Sequence, residues 1–235
     1  MAGVADAQNE LNCLMRSAPP LNMDRLSRTF DRLRLRASGN NGWQERMRPI
    51  GYLYKDVASR PQWLHAPQVT DVYSLSACVS ADFAEYYADW QHNGYWLFDA
   101  PLAIARLAAE KGVSLDGLKL FYYEACEQEF DGDTKTWRPF GPDPRLNLAV
   151  VIPEYKHLEG FDVTQFTCLT TPECSPLSCN SFARSIATNQ HCLFDTFAQA
   201  RCALDTGKFH ECGDGPYRII AVYSVPAESE GIEYA

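Results

Sequence analysis

The sequence predicts an α+β domain with a mixed, mostly antiparallel sheet of about six or seven strands and four or five helices packed on it. Short apolar runs of strand length alternate with stretches of helical periodicity. Turn-forming Gly, Pro, Asn and Asp residues separate them. The longest apolar runs, which begin at Leu146 and Arg218, are well short of the roughly 20 residues that a membrane helix needs, so no membrane partner is expected.

Residues 1–48 are expected to form an N-terminal arm followed by a basic helix. They carry eight arginines and five acidic residues, although the whole chain has a net charge of −9. Leu26, Phe30 and Leu33 recur at helical spacing among the arginines, as in an amphipathic helix with a basic face. The segment is interpreted as a solvated helix docked on the acidic remainder of the chain. The alternative is an arm for nucleic acid or a membrane surface.

Residues 49–235 are predicted to form one α+β domain. Its expected strands share apolar runs of β-branched and aromatic residues bounded by turn signals. They are IGYLYK, VYSLSACV, YWLF, LKLFYYEACEQEF, LNLAVVIP, FDVTQFTCL and PYRIIAVYSV, beginning at residues 50, 72, 95, 118, 146, 161 and 216.

Four helices are expected within this domain. The first begins at Ser80, which is a good N-cap residue. The second begins at Pro101, because proline favours the first helical position, and closes on Gly112. A short helix is expected in SFARSIA, and the last is predicted from Leu193 to Thr206.

The chemistry-bearing side chains concentrate in a Cys-rich helix-turn-helix predicted at residues 168–192. Three cysteines, a histidine and two asparagines lie between residues 172 and 192. Ser178 or Asn180 can cap the short helix, which places Cys179 beside a helix N-terminus. The N–H groups and the helix dipole there are expected to lower the pKa of this thiol. A sharp turn between the helices would bring it to His191.

Three interpretations of this segment compete. The thiols can be small residues that pack a tight turn against the sheet. They can also bind a structural zinc ion, which takes four nitrogen or sulfur ligands in a tetrahedron, although the C-x-x-C knuckle is absent. The four candidate ligands are Cys174, Cys179, His191 and Cys192. The cofactor expected is therefore none or zinc.

In the third interpretation, the segment holds a thiol enzyme site. Cys179 is the nucleophile and His191 is its base. Asn189 or Asp195 orients the imidazole, as in cysteine–histidine catalysis, but no family signature accompanies these residues.

The cysteines are expected to be reduced, and three of those outside this segment are expected to be buried. The chain has nine cysteines, an odd number, and its first residues do not resemble a signal peptide, which favours the cytoplasm. Cys78, Cys126 and Cys202 lie within apolar patterns, where cysteine acts as a small hydrophobic residue.

A pair of glutamates offers a different site. Glu127 and Glu129 lie two residues apart at a strand end, so their side chains project to the same face. With Arg48 and the Ser74–Ser76 segment, they resemble ADP-ribosyltransferases, which place an arginine, a Ser-Thr-Ser strand and Glu-x-Glu in this order. The resemblance implies NAD as substrate and Glu129 as the essential carboxylate. Leu75 stands where the family has threonine, and Arg48 precedes its strand.

The charge favours a binding protein. An acidic body makes nucleic acid an unlikely partner and suits a basic protein ligand. No Walker loop, G-x-G-x-x-G, H-E-x-x-H or G-x-S-x-G motif occurs. The leading hypothesis is therefore a soluble, cytoplasmic bacterial protein-binding domain of the immunity type. The alternatives are an enzyme with the Cys179/His191 or Glu127/Glu129 site, or a zinc-stabilised interaction module.

Overall fold

The computed structural model describes residues 46–76, 78–79, 93, 95–140, 149–165, 174–213 and 215–226. Nearly all of the predicted N-terminal arm and basic helix, and the helix predicted from Ser80, lie outside these residues. The first strand already includes Met47 and Arg48, so it begins slightly earlier than the sequence indicates. The division into residues 1–48 and 49–235 stays a prediction.

The described residues form one sheet of six strands in which every pair is antiparallel. The strands are β1 Met47–Lys55, β2 Lys119–Cys126, β3 Gln128–Asp131, β4 Thr136–Pro139, β5 His157–Gln165 and β6 Tyr217–Ser224.

Strands β2 and β3 continue one another along the sheet, interrupted only at Glu127. β6 runs beside both of them, and β5 lies beyond β6. On the other side, β1 pairs with β2 and β4 pairs with β3. β1 and β4 therefore lie end to end on the same side of the long strand formed by β2 and β3, with a gap between them beside Glu127.

The described residues contain two α-helices, α1 Pro101–Lys111 and α2 Phe197–Asp205. α1 lies where it was predicted and ends at Gly112, whose φ of 67° is the left-handed conformation that glycine favours. α2 begins later than predicted. The reason is that Thr196 caps it, with Gln199 completing a capping box.

The predicted fold class is wrong, because only two α-helices accompany a wholly antiparallel sheet in the described residues. The SFARSIA segment forms a 3₁₀ turn at Phe182–Arg184 instead of an α-helix. The strand predicted from Val72 is also wrong. Its described residues are a buried loop, in which Val72 and Leu75 are almost fully inaccessible to solvent. A loop buried over a sheet produces the same apolar pattern as a buried strand.

The described residues contain two similar halves, which were not predicted from the sequence. β1, α1 and β2 form one half, and β5, α2 and β6 form the other, in the same order. Gly51 pairs with Tyr123 in the first half, and Gly160 pairs with Val222 in the second. Tyr123 and Val222 pair with each other at the centre of the sheet. This register places an approximate twofold axis between Tyr123 and Val222.

An equivalent loop precedes the helix in each half. The sequence is Asn-x-x-x-Leu-Phe-Asp in both, beginning at Asn93 and at Asn189. Each asparagine donates its amide to the carbonyl before a glycine, Ile50 for the first loop and Glu159 for the second. Its backbone N–H donates to the carbonyl of the leucine four residues on. The shared hydrogen bonds make the two loops structural equivalents.

Each helix covers its own apolar cluster. Ile104 and Ala108 of α1 pack in a cluster with buried aromatic residues of β1 and β2. Phe197 and Leu204 of α2 pack in a second cluster with Ile219 of β6. The halves therefore differ in their core side chains while sharing their backbone plan.

We expect Gly51→Ala and Gly160→Ala each to lower the free energy of unfolding by about 3 kcal/mol. Both glycines have positive φ, and an added Cβ would lie 2.7 Å from the carbonyl oxygen of Phe98 or 2.6 Å from that of Phe194. Urea unfolding measures the loss.

Gly112→Ala is the matched control for Gly51→Ala and Gly160→Ala. This residue also has positive φ, but an added Cβ would meet no atom within 4 Å. Its expected cost is about 1 kcal/mol, from the backbone conformation alone. Equal losses in all three variants would contradict close approach as the reason for Gly51 and Gly160.

Candidate thiol site

Three cysteine sulfurs meet where loops from the two halves come together. Cys78 lies in the loop that follows β1, and Cys174 and Cys179 lie in the loop that follows β5. The Sγ atoms of Cys78 and Cys174 are 3.5 Å apart. All three sulfurs lie within 4.8 Å of one another, and no other group of three potential ligands this close occurs in the described residues.

A buried lysine holds the first of these loops. Lys55 is the last residue of β1 and is almost fully inaccessible to solvent. Its Nζ donates to the carbonyl oxygens of Ser74, Leu75 and Ser76, at 2.8, 3.2 and 3.0 Å. These three bonds fix the backbone that leads into Cys78 and bring a positive charge close to its sulfur.

A buried aspartate joins the two cysteine loops. Asp162 of β5 has no exposed surface. One of its oxygens accepts from the Ser74 hydroxyl and the Leu75 N–H, and the other accepts from the Ser175 hydroxyl and the Val163 N–H. Burial raises the pKa of Asp162, and its four donors oppose that rise. One carboxylate therefore positions the loops that carry all three thiols.

Serine hydroxyls surround the sulfurs. Ser76 Oγ lies 3.3 Å from Cys179 Sγ and accepts the backbone N–H of Cys78 at 3.2 Å. Ser178 Oγ lies 3.8 Å from the same Cys179 sulfur. Such donors stabilise a thiolate more than a neutral thiol.

The thiols differ in acidity. Burial raises the pKa of Cys78, but hydrogen bonds with Ser76 and the neighbouring thiols, together with the charge of Lys55, outweigh it and lower the pKa overall. Burial raises the pKa of Cys179 to about 12, and the nearby Cys78 adds to the rise. The exposed Cys78 is thus the more readily ionised of the two.

The spacing of the sulfurs fits a soft metal ion. Tetrahedral zinc with Zn–S bonds of about 2.3 Å holds its sulfur ligands about 3.8 Å apart. The 3.5 Å separation of Cys78 and Cys174 and the 4.8 Å limit on the whole group bracket this value. A metal ion could therefore bind all three sulfurs after only small side-chain movements.

The predicted ligands are distributed between two places. Cys174 and Cys179 belong to the thiol site, and His191 and Cys192 are not part of its ligand group. The His191 imidazole stacks on Tyr73, with ring centroids 3.9 Å apart. Its Nδ1 lies 2.5 Å from an Asp71 carboxylate oxygen.

The two other predicted residues hold the second asparagine loop. Asn189 accepts the N–H groups of His191 and Leu193 and donates to Glu159, so its amide serves the backbone. Cys192 is buried at a φ of 62°, and burial raises its pKa. The sequence did not foresee Cys78, Lys55 or Asp162.

The proposed nucleophile lacks the acidity that was expected of it. Cys179 lies in a turn and not at the beginning of an α-helix. Its N–H group donates to the Ser175 carbonyl. Its pKa is raised, which is opposite to the predicted lowering. The Cys179, His191 and Asn189 catalytic set stays a prediction.

The residues that resemble an ADP-ribosyltransferase site lie at opposite ends of β1. Arg48 pairs with Glu127 at 3.2 Å near the beginning of this strand. Ser74–Ser76 contacts Lys55 at its end. The seven residue-to-residue steps from Arg48 to Lys55 span roughly 23 Å of strand. Glu129 is paired with Arg138 and Arg218 on the Arg48 side.

The remaining cysteines correct part of the redox expectation. Cys126 is buried in the core, as predicted, but Cys78 is exposed. Cys202 of α2 is disulfide-bonded, whereas the other cysteines of the described residues are reduced. The expectation of a fully reduced chain is therefore wrong for Cys202.

Comparison of the chain with protein-family models, curated proteins and solved structures finds no match. None of the helices in the described part of the chain is both long and apolar enough to cross a membrane. The arrangement of the thiols is consequently the main guide to function.

Proposed function

We propose that the protein is a zinc-binding domain in which Cys78, Cys174 and Cys179 hold one metal ion. The observation that carries this proposal is the meeting of three sulfurs within 4.8 Å. The ion would join a loop of one half to a loop of the other. Its role is therefore structural, and the domain belongs to the class of zinc-stabilised interaction modules.

The charge balance of the site supports zinc. Three thiolates and Zn²⁺ carry one net negative charge, which is costly to bury without a counter-charge. The Lys55 ammonium, beneath the loop that carries Cys78, supplies that counter-charge. Thiolate sulfur also selects zinc over magnesium or calcium, which prefer oxygen ligands.

The three sulfurs leave one position of a tetrahedral zinc ion to be filled by another group. Zinc is four-coordinate in structural sites, and the described residues bring three ligands together. Cys78 is exposed, so solvent and other molecules can reach the site. A partner that donates a thiolate, imidazole or carboxylate would complete the tetrahedron, which links metal binding to an interaction role.

Protein purified after expression with added zinc is expected to hold about one zinc ion per chain. Cys78→Ser, Cys174→Ser and Cys179→Ser should each lower the zinc affinity by about tenfold or more, because the hydroxyl is a much weaker ligand than a thiolate. Elemental analysis and competition with a chromogenic chelator measure content and affinity.

Cys212→Ser is the matched control for these three variants. Cys212 is also a reduced, partly exposed cysteine, and burial raises its pKa to about 11. The Cys212→Ser substitution should leave the zinc content unchanged. Wild-type protein without bound zinc, or equal loss in the Cys212 variant, would contradict the proposal, and tight binding of Cu⁺ alone would replace zinc with a different metal.

The protein-binding hypothesis of the immunity type rests on the net charge of −9. An exposed apolar segment adds one supporting observation, since Val151, Ile152 and Tyr155 are each more than half exposed. A basic protein partner would find both apolar contacts and acidic charge here, with Glu154 between these residues. Loss of binding to a candidate basic protein in an Ile152→Ser variant, with zinc content unchanged, is the test.

A further inference from the structure

We propose that Cys78 and Cys174 are a redox pair, and that their oxidation to a disulfide releases the metal ion from the thiol site. The release of metal rests on the proposed zinc function. Formation of the disulfide requires only the two thiols, so the two ideas can fail separately.

The geometry suits a disulfide between these residues. The two sulfurs are 3.5 Å apart, and a disulfide bond of about 2.05 Å requires them to approach by only about 1.5 Å. Cys78 and Cys174 both lie in loops, outside the helices and strands. Closure therefore needs no sheet or helix hydrogen bond to break.

Cys78 is the residue that would react first with an oxidant. It is the exposed member of the group, and Cys174 and Cys179 are half-buried. Its sulfur is therefore the one of the three that a peroxide in solution reaches most readily. Cys179 is less accessible to the oxidant, because it is partly buried and its sulfur lies against the hydroxyls of Ser76 and Ser178.

A hydroperoxide is the oxidant that this chemistry requires. The Cys78 thiolate attacks the terminal oxygen, the O–O bond breaks, and the leaving oxygen takes a proton to give water or an alcohol. The Cys174 thiolate then attacks the Cys78 sulfenic sulfur, forms the S–S bond and expels hydroxide, which is protonated to water. The two sulfurs lose two electrons in total, and the peroxide gains them.

Oxidation would remove two of the three metal ligands. A disulfide sulfur carries no negative charge, and the thiolate is the form that binds zinc. Only Cys179 would remain, and a single thiolate does not retain zinc against water. The same reaction would detach the two loops from their common ion and link them by a disulfide instead. Oxidation would therefore change the structure of a loop in each half.

The test treats zinc-loaded and zinc-free protein with hydrogen peroxide at neutral pH. Peptide mapping should find a Cys78–Cys174 link, formed about ten times faster than oxidation of the control Cys212. The zinc-loaded protein should release about one zinc ion per chain as the link forms, measured with a chromogenic chelator. A thiol reductant should reverse both changes.

Cys179→Ser separates the redox pair from the metal site. This variant should bind zinc weakly but still form the Cys78–Cys174 disulfide. Oxidation of Cys78 to sulfinic acid, or a link from Cys78 to Cys179 in the wild type, would overturn the pair. Zinc that stays bound after the disulfide forms would overturn the release, and wild-type protein that never holds zinc would overturn the proposed function instead.

Discussion

Asp162→Ala is expected to lower the free energy of unfolding by about 4 kcal/mol or more. The substitution leaves four donors without their acceptor: the hydroxyls of Ser74 and Ser175 and the N–H groups of Leu75 and Val163. Each buried donor left without a partner costs about 1–3 kcal/mol. Such a loss is a large part of the stability of a typical domain, and urea unfolding of zinc-free protein measures it.

Asp116→Ala is the matched control for Asp162→Ala. Asp116 lies exposed in the turn between α1 and β2. Its substitution should change stability by no more than about 0.5 kcal/mol. The Asp162 variant should in addition lose zinc affinity, because the carboxylate joins both cysteine loops. Retained zinc affinity in a folded Asp162→Ala protein would contradict that positioning role.

Asp162→Asn tests the ionisation of the same residue. The pKa of Asp162 is raised by burial, so its contribution to stability is fully present below the pKa of the unfolded chain and decreases as pH rises through the folded-state pKa. Asparagine does not titrate. The stability difference between zinc-free wild type and Asp162→Asn should therefore narrow as pH rises, and a difference that widened would mean that the pKa is lowered.

The sequence predicts those helices and strands whose signals lie within the segment itself. The α1 helix follows from Pro101 and Gly112 at its two ends, and β2 and β6 follow from long β-branched and aromatic runs. Buried loops imitate this signal. The residues from Val72 are as apolar as a strand because they cover the sheet. Their backbone groups pair with the Lys55 side chain and with the carbonyl of His191 instead of with a neighbouring strand.

The thiol site could be predicted only in part, because its contacts are distant along the chain. Cys78 and Cys174 are separated by 96 positions, and no local spacing relates them. One signal was available in the sequence. The Asn-x-x-x-Leu-Phe-Asp motif occurs after both Cys78 and Cys179. An internal duplication inferred from that motif would have placed the two cysteine loops at equivalent positions.

Charged residues within apolar strands were a second available signal. Asp162 and Arg218 lie next to apolar residues in their strands, and both residues have no exposed surface in the structure. A buried charge needs a partner, so each predicts a polar network without identifying its members. Asp162 connects the cysteine loops, whereas Arg218 lies in the network that contains Glu129.

Glu129→Gln is expected to lower the free energy of unfolding by about 3–5 kcal/mol. Glu129 Oε2 lies 3.0 Å from Arg218 Nη2, and the Arg218 side chain has no exposed surface. Burial already lowers the pKa of Arg218, and Glu129 opposes that effect. An amide cannot replace the carboxylate charge, so the buried guanidinium would keep its desolvation cost and lose its ionic partner. Thermal or urea unfolding measures the loss.

Glu127→Gln provides the comparison within the same Glu-x-Glu pair. Glu127 pairs with Arg48, and both side chains are about one-third or more exposed, so the ion pair contributes about 0–1 kcal/mol. The large effect should therefore belong to Glu129 alone. Equal effects would mean that Arg218 does not depend on the Glu129 charge. Loss of an NAD-hydrolysing activity in a Glu129→Gln protein that kept wild-type stability would instead support the ADP-ribosyltransferase resemblance over a structural role.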